Sequence, residues 1–229
     1  MHDAPSTVTD ETSIPETTQL AQWHDEAASA ASEPDLRERV RELTTRALHD
    51  RRMSLQEVRA IVGAITAGVG DGLVSRGGEI RDGLKQAVSG LDEAIGSAAQ
   101  AVSYTLREAA EEGRAFKDTE LKARLEQLRD LETQLVDTLK LTARQSGGKL
   151  KEELDLLSEH LKRSGTRTGE QVRDALRQLA GGVKTSAAAG RSGIGESASV
   201  AVDRLSRVAS GVLDAVADSL KRQSERLRS

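Results

Sequence analysis

Three groups of residues in this 229-residue chain are of types that could do chemistry. Gly68-x-Gly70-x-Gly72 and Gly190-x-x-Gly193-x-Gly195 have the glycine density of a phosphate-cradling loop. Such a loop follows a strand and closes on Gly-Lys-Ser/Thr, so that backbone N–H groups and a lysine converge on the phosphates. Neither stretch has that context, and Val183-Lys184-Thr185 lacks the glycine beside its lysine. His2, His24, His49 and His160 are scattered and make no metal-ligand spacing. Carboxylate pairs such as Glu111–Glu112 and Glu152–Glu153 read as solvated helix faces. Acid–base work by such a pair needs a concave site that excludes water. The sequence therefore predicts no catalytic, cofactor-binding or metal-binding residue, no cofactor, no small-molecule substrate and no enzyme activity.

The elements available to carry any other function share one period. Stepping by eleven from Val62 gives Val62, Leu73, Leu84, Ile95, Leu106, Lys117, Leu128, Leu139, Leu150, Leu161, Val172, Val183, Ile194, Leu205, Val216 and Leu227. Only Lys117 breaks this row. A row four residues earlier runs Val58, Val69, Ile80, Leu91 and Val102, and a row four later holds mostly Ala and Leu, with Glu132 against it. Eleven residues in three turns is about 3.67 per turn, close to the relaxed helix, so the apolar stripe barely drifts and any supercoil is gently right-handed. The predicted fold class is all-α. Its expected form is a long amphipathic helix in eleven-residue (hendecad) repeats with few true turns, in a right-handed coiled coil or an elongated bundle, behind a disordered acidic N-terminal tail.

Residues 1–34 are read as that tail, because they hold all three prolines and seven acids without a Lys or Arg. Trp23 within it is expected to have no docking role. Residues 35–52 are expected to form a short helix with Leu36, Val40, Leu43 and Ala47 on one face. The repeat region follows at 54–228. It is rich in Gly, Ser and Ala at 54–113, charged and Leu-rich at 114–164, and Gly/Ala-rich at 165–228 before a basic end. Its start is marked by Ser54-Leu-Gln-Glu57, a capping box in which each side chain satisfies a backbone N–H of the other, with Met53 and Val58 placed as a hydrophobic staple. Nine glycines, from Gly63 to Gly96, fall in the first third. Each costs a helix interior roughly 0.5–1 kcal/mol relative to Ala, so this stretch needs a partner surface. Gly147–Gly148 is the best candidate for a kink or reversal, and the sequence does not decide whether it or Gly181–Gly182 makes a turn.

Composition narrows the function classes. One Trp, one Tyr and one Phe leave little aromatic mass for a conventional enzyme core, and 31% charged residues suit long solvated helices. Cysteine is absent, which excludes a disulfide framework and fits the cytoplasm. No signal peptide is visible, and no run approaches the ~18 consecutive apolar residues of a spanning helix. Interleaved charges and the acidic tail argue against nucleic acid.

In its eleven-residue rows over about 54–228 the chain resembles the exchangeable apolipoproteins, synucleins and lipid-droplet coat proteins, and it is similar to the phasins that coat bacterial polyester granules. The resemblance implies a non-enzymatic protein lying on a storage granule or lipid interface in the cytoplasm, with the stripe as the contacting face. Six bases against nine acids over 57–114 favour a neutral surface over an anionic one. Two alternatives use the same rows: self-association into a coiled-coil or bundle scaffold, and a stress protectant that becomes helical on drying. The expected working face is Val58, Val62, Val69, Leu73, Ile80, Leu84, Leu91, Ile95, Val102, Leu106, Leu128, Leu139, Leu150, Leu161, Val172, Val183, Ile194, Leu205 and Val216, with Ser54 and Glu57 as the helix cap.

Overall fold

The computed structural model describes residues 17–49, 53–77, 79–112, 117–188 and 196–228; side chains at 182–188, 196–197, 216 and 218–228 lie outside the description. The fold is all-α. Its helices in chain order are α1 (Thr17–Ala30), α2 (Leu36–Leu48), α3 (Leu55–Arg76), α4 (Ile80–Glu111), α5 (Asp118–Gln145), α6 (Gly148–Ser164), α7 (Arg167–Ala188) and α8 (Glu196–Arg228). The expected long rod is thus segmented, and the segments fold back into a bundle. Glycine makes three of the breaks possible: Gly77, Gly148 and Gly165 take φ values of 64°, 53° and 80°, in the left-handed region that residues with a Cβ avoid. The backbone runs helically through Gly181–Gly182, so no turn forms there.

The α3–α4 hairpin is the middle layer. At about 100° per residue, Gly68 and Gly72 lie on the opposite face of α3 from Gly63 and Gly70. The first pair meets α1, where a Cβ would land on the carbonyl oxygens of His24 and Ala28. The second pair meets α5 and α6, with Thr138 Cγ2 3.7 Å and Leu150 Cδ2 2.7 Å from the Cβ positions. On α4, a Cβ at Gly90 would collide with the Arg37 carbonyl of α2, while Gly96 accommodates the Gln171 side chain of α7. A helix covered on two opposite faces must be apolar or small nearly all round. This is why α3 is long and apolar enough, by length and composition, to cross a membrane while 56% of that stretch is buried in the bundle. A single narrow seam does not describe α3 or α4, because each buries two faces.

Residues 17–30 correct the expectation of disorder over 1–34, of which residues 1–16 lie outside the described residues. Alone, α1 has too little apolar area to order itself. Against α3 it needs little, since the glycines let two backbones touch and Ala27 and Ala30 become fully or nearly buried. Trp23 is half-buried and packs on the core. His24 Nε2 sits 3.1 Å from Asp71 Oδ2, and Arg46 of α2 pairs with Glu26, tying α1 to both neighbours. On the other side of the hairpin, Lys140 and Glu159 join α5 to α6 at 2.5 Å. The lysine holds the Glu159 carboxyl below its usual range. Ser206 of α8 donates to the Ala180 carbonyl of α7 at 2.6 Å.

The glycines therefore divide into two classes with opposite responses. Gly68→Ala and Gly90→Ala are expected to lower stability by about 1–3 kcal/mol through overpacking. Gly63→Ala, which meets nothing closer than 3.7 Å, is expected to raise it by about 0.5–1 kcal/mol. Urea unfolding of the three variants checks this; equal effects at all three sites contradict it.

Candidate functional site

The residues expected to form a contacting face lie inside the bundle. Val58, Val62, Val69, Leu84, Leu91, Ile95, Leu106, Leu128, Leu139, Leu150, Val172 and Leu205 are all buried, as are Leu73 and Ile80 nearer its edge. Val102 and Leu161 are half-buried and pack against the same core. Ile194 and the side chains of Val183 and Val216 lie outside the described residues. The rows converge on one apolar cluster that runs through all the helices, so in this state the stripe contacts its own chain.

The N-terminus of α3 is built as its sequence requires. Ser54 Oγ accepts from the Glu57 N–H at 3.2 Å, and a Glu57 carboxylate oxygen accepts from the Ser54 N–H at 3.0 Å. Met53, at φ 57°, and Val58, the two staple positions, are both buried in the core. Removing a cap of this kind costs about 1 kcal/mol.

A second polar construction was not foreseen. The first four N–H groups of a helix have no partner within it, and at α7 all four are met by side chains. Thr166 N–H donates to Glu132 Oε1 at 2.9 Å, Arg167 N–H to Asp92 Oδ2 at 2.7 Å and Thr168 N–H to Asp92 Oδ1 at 2.8 Å. Gly169 N–H donates to Thr166 Oγ1 at 3.0 Å. Two carboxylates from α4 and α5 thus sit at the positive end of the α7 dipole, where negative charge is stabilised. Thr166 Oγ1 donates to the same Glu132 oxygen at 3.0 Å, and Thr168 Oγ1 to the Asp92 carbonyl at 2.9 Å. Arg173 pairs with Glu132 at 3.5 Å; the neighbouring Glu93 holds both Arg167, at 3.3 Å, and Arg37 of α2. A Cβ at Gly169 would displace the Glu132 carboxylate from this position. The sequence carried one trace of the clamp: Glu132 is the charged misfit in an otherwise Ala/Leu row.

Two open grooves lie on the surface of the described residues. One of about 540 Å³ lies where α4 extends past the end of α2, lined chiefly by Leu48, Met53, Ala94, Ala98, Ala101, Val102 and Leu106, with His49 and Arg124 beside them. The other, of about 400 Å³, lies between α5 and α8, and its charged lining residues are engaged on the surface: Lys122 with Glu126 at 3.9 Å and Asp118 with Arg204 at 2.9 Å. Among the described residues no group of three or more His, Asp or Glu is placed to hold a metal ion.

Fold and site together define an all-α bundle assembled around a two-faced, glycine-packed hairpin and fixed by a carboxylate clamp. The chain belongs to the family of unknown function DUF6781, whose model matches residues 13–222. No curated protein and no solved structure matches it.

Ser54→Ala is expected to destabilise α3 by about 1 kcal/mol. Its signature in hydrogen exchange is faster exchange at the start of α3 with the α7 start unchanged; uniform loss across both helices contradicts a local cap.

Proposed function

We propose that this is a non-catalytic protein that coats a neutral hydrophobic surface, a lipid interface or storage granule in the cytoplasm, by opening its bundle and laying the apolar rows on that surface. The observation that carries the reading is the phase of the rows across the breaks. A bundle leaves connector length free, because each helix finds its own rotation against the core, and one added residue turns every later row by about 100°. Here Leu73 and Leu84 keep step across 77–79, Leu139 and Leu150 across 146–147, and Leu161 and Val172 across 165–166. The folded bundle has no use for that agreement. A continuous helix on a flat apolar surface does, since only in-phase rows form one ribbon.

The core supports the same reading. It consists almost wholly of Leu, Val, Ile and Ala, side chains that lie as well against hydrocarbon as against each other. The α3 helix, the most apolar element, becomes the part most in need of a new partner once α1 and α5 leave it. Self-association of the opened rows is the competing outcome and shares this opening step.

In the bundle the N–H groups of Gly147 and Gly148 stand at the start of α6, where no side chain caps the helix. On phosphatidylcholine liposomes or polyester particles the full chain is expected to remain helical while these two amides gain at least tenfold protection from hydrogen exchange. Failure to bind either particle overturns the coat. A concentration-dependent helical oligomer that ignores particles assigns the rows to a scaffold instead.

A further inference from the structure

The carboxylate clamp on α7 stands at a choice between two helices. In the bundle, the N–H groups of residues 166–169 are held by Glu132, Asp92 and Thr166, and Gly165, at φ 80°, turns the chain between α6 and α7. Were residues 148–188 one helix, those same four donors would bond to the carbonyls of residues 162–165 instead. The two sets of acceptors exclude each other, and each satisfies all four donors. We propose that Asp92 and Glu132 form a latch that holds α6 and α7 apart, and that releasing it fuses them into one continuous helix. This rests on the proposed opening for its trigger only; the two-state element is in the fold itself.

Three features make the switch specific to this connector. Carboxylates at a helix N-terminus, here the buried Asp92 and the partly buried Glu132, are stabilised while they accept its N–H groups, and need water or new donors once those N–H groups turn elsewhere. Both are misplaced for any other role: Asp92 is buried on a helix of the middle layer, and Glu132 interrupts an apolar row. Fusion also sets Leu150, Leu161 and Val172 on one line at eleven-residue spacing, recruiting Leu161, which the bundle leaves half-buried. The latch thus converts the break that divides the row into the joint that completes it.

The chain has no native cysteine, so spin labels can be placed on the full-length protein at Glu152→Cys and Gln178→Cys, both on exposed positions of α6 and α7. Twenty-six residues of unbroken helix separate these backbone positions by about 39 Å, and any bend at Gly165 shortens that distance. Pulsed electron spin resonance in buffer is expected to give the shorter distance alone, and on phosphatidylcholine liposomes a distance near the full helical length. Asp92→Asn combined with Glu132→Gln is expected to raise the long-distance population in buffer at least fivefold. Gly165→Ala should act in the same direction without touching either carboxylate, because alanine disfavours φ 80° and favours helix. Adsorbed wild-type protein that keeps the short distance overturns the latch while leaving the coat intact. Variants that lose helicity in buffer without gaining the long distance overturn it as well. If the wild type adsorbs to no liposome, the coat fails, and the buffer distances of the variants decide the latch alone.

Discussion

Everything in this bundle follows from covering the α3–α4 hairpin on both sides. Two helices that bury opposite faces cannot carry large side chains all round and still let four or more neighbours approach. Glycine resolves the conflict by letting backbones meet: α1 lies against Gly68 and Gly72, and α2 against Gly90. The gain is contact area with almost no side-chain entropy to lose. The cost is a middle layer whose helices are weak by themselves, so that α3 and α4 depend on their partners as much as the partners depend on them.

That mutual dependence links packing to dynamics. The core has few aromatic anchors, and its polar fixing points are a small set: the Ser54–Glu57 box at the start of α3, the Asp92–Glu132 clamp at the start of α7, and single ties between helix flanks such as Ser206 with Ala180. Between those points the helix flanks meet mainly through Leu, Val, Ile and Ala, which make no directional bonds. Such flanks can exchange one apolar partner for another without leaving a buried polar group unpaired, which is the expensive failure in most cores. The proposed coat would use the same chemistry, with a foreign apolar surface in place of the neighbouring helices.

Much of this was legible in the residues and some was not, for identifiable reasons. The helical class, the capping box and the reversal beside Gly147 are local properties, written in periodicity, a four-residue signature and a glycine pair. The order of α1 was illegible because its partner is non-local. Ala27 and Ala30 look too small to hold a helix until Gly68 and Gly72, some forty residues on, remove the need for larger groups. The break at Gly165 was hidden because the row passes through it in phase, from Leu161 to Val172, so periodicity argued for continuity. The two-faced burial of α3 was hidden in the same way: the glycines read as weakness in one helix, whereas they are the contact surfaces for three others. Glu132 was the one visible discord, and its meaning required knowing where the next helix begins.

In the proposed coat, one set of apolar rows serves as core in the bundle and as ribbon on a surface. The thickness of the adsorbed layer tests it most directly. A single layer of helix is about 10–12 Å thick, whereas three stacked layers at 8–10 Å between axes give about 30 Å. Neutron reflectometry of the full-length protein at a neutral hydrophobic film in water is expected to show a protein layer near 10–12 Å. A layer near 30 Å, meaning the bundle adsorbs closed, or no layer at all, would contradict the account.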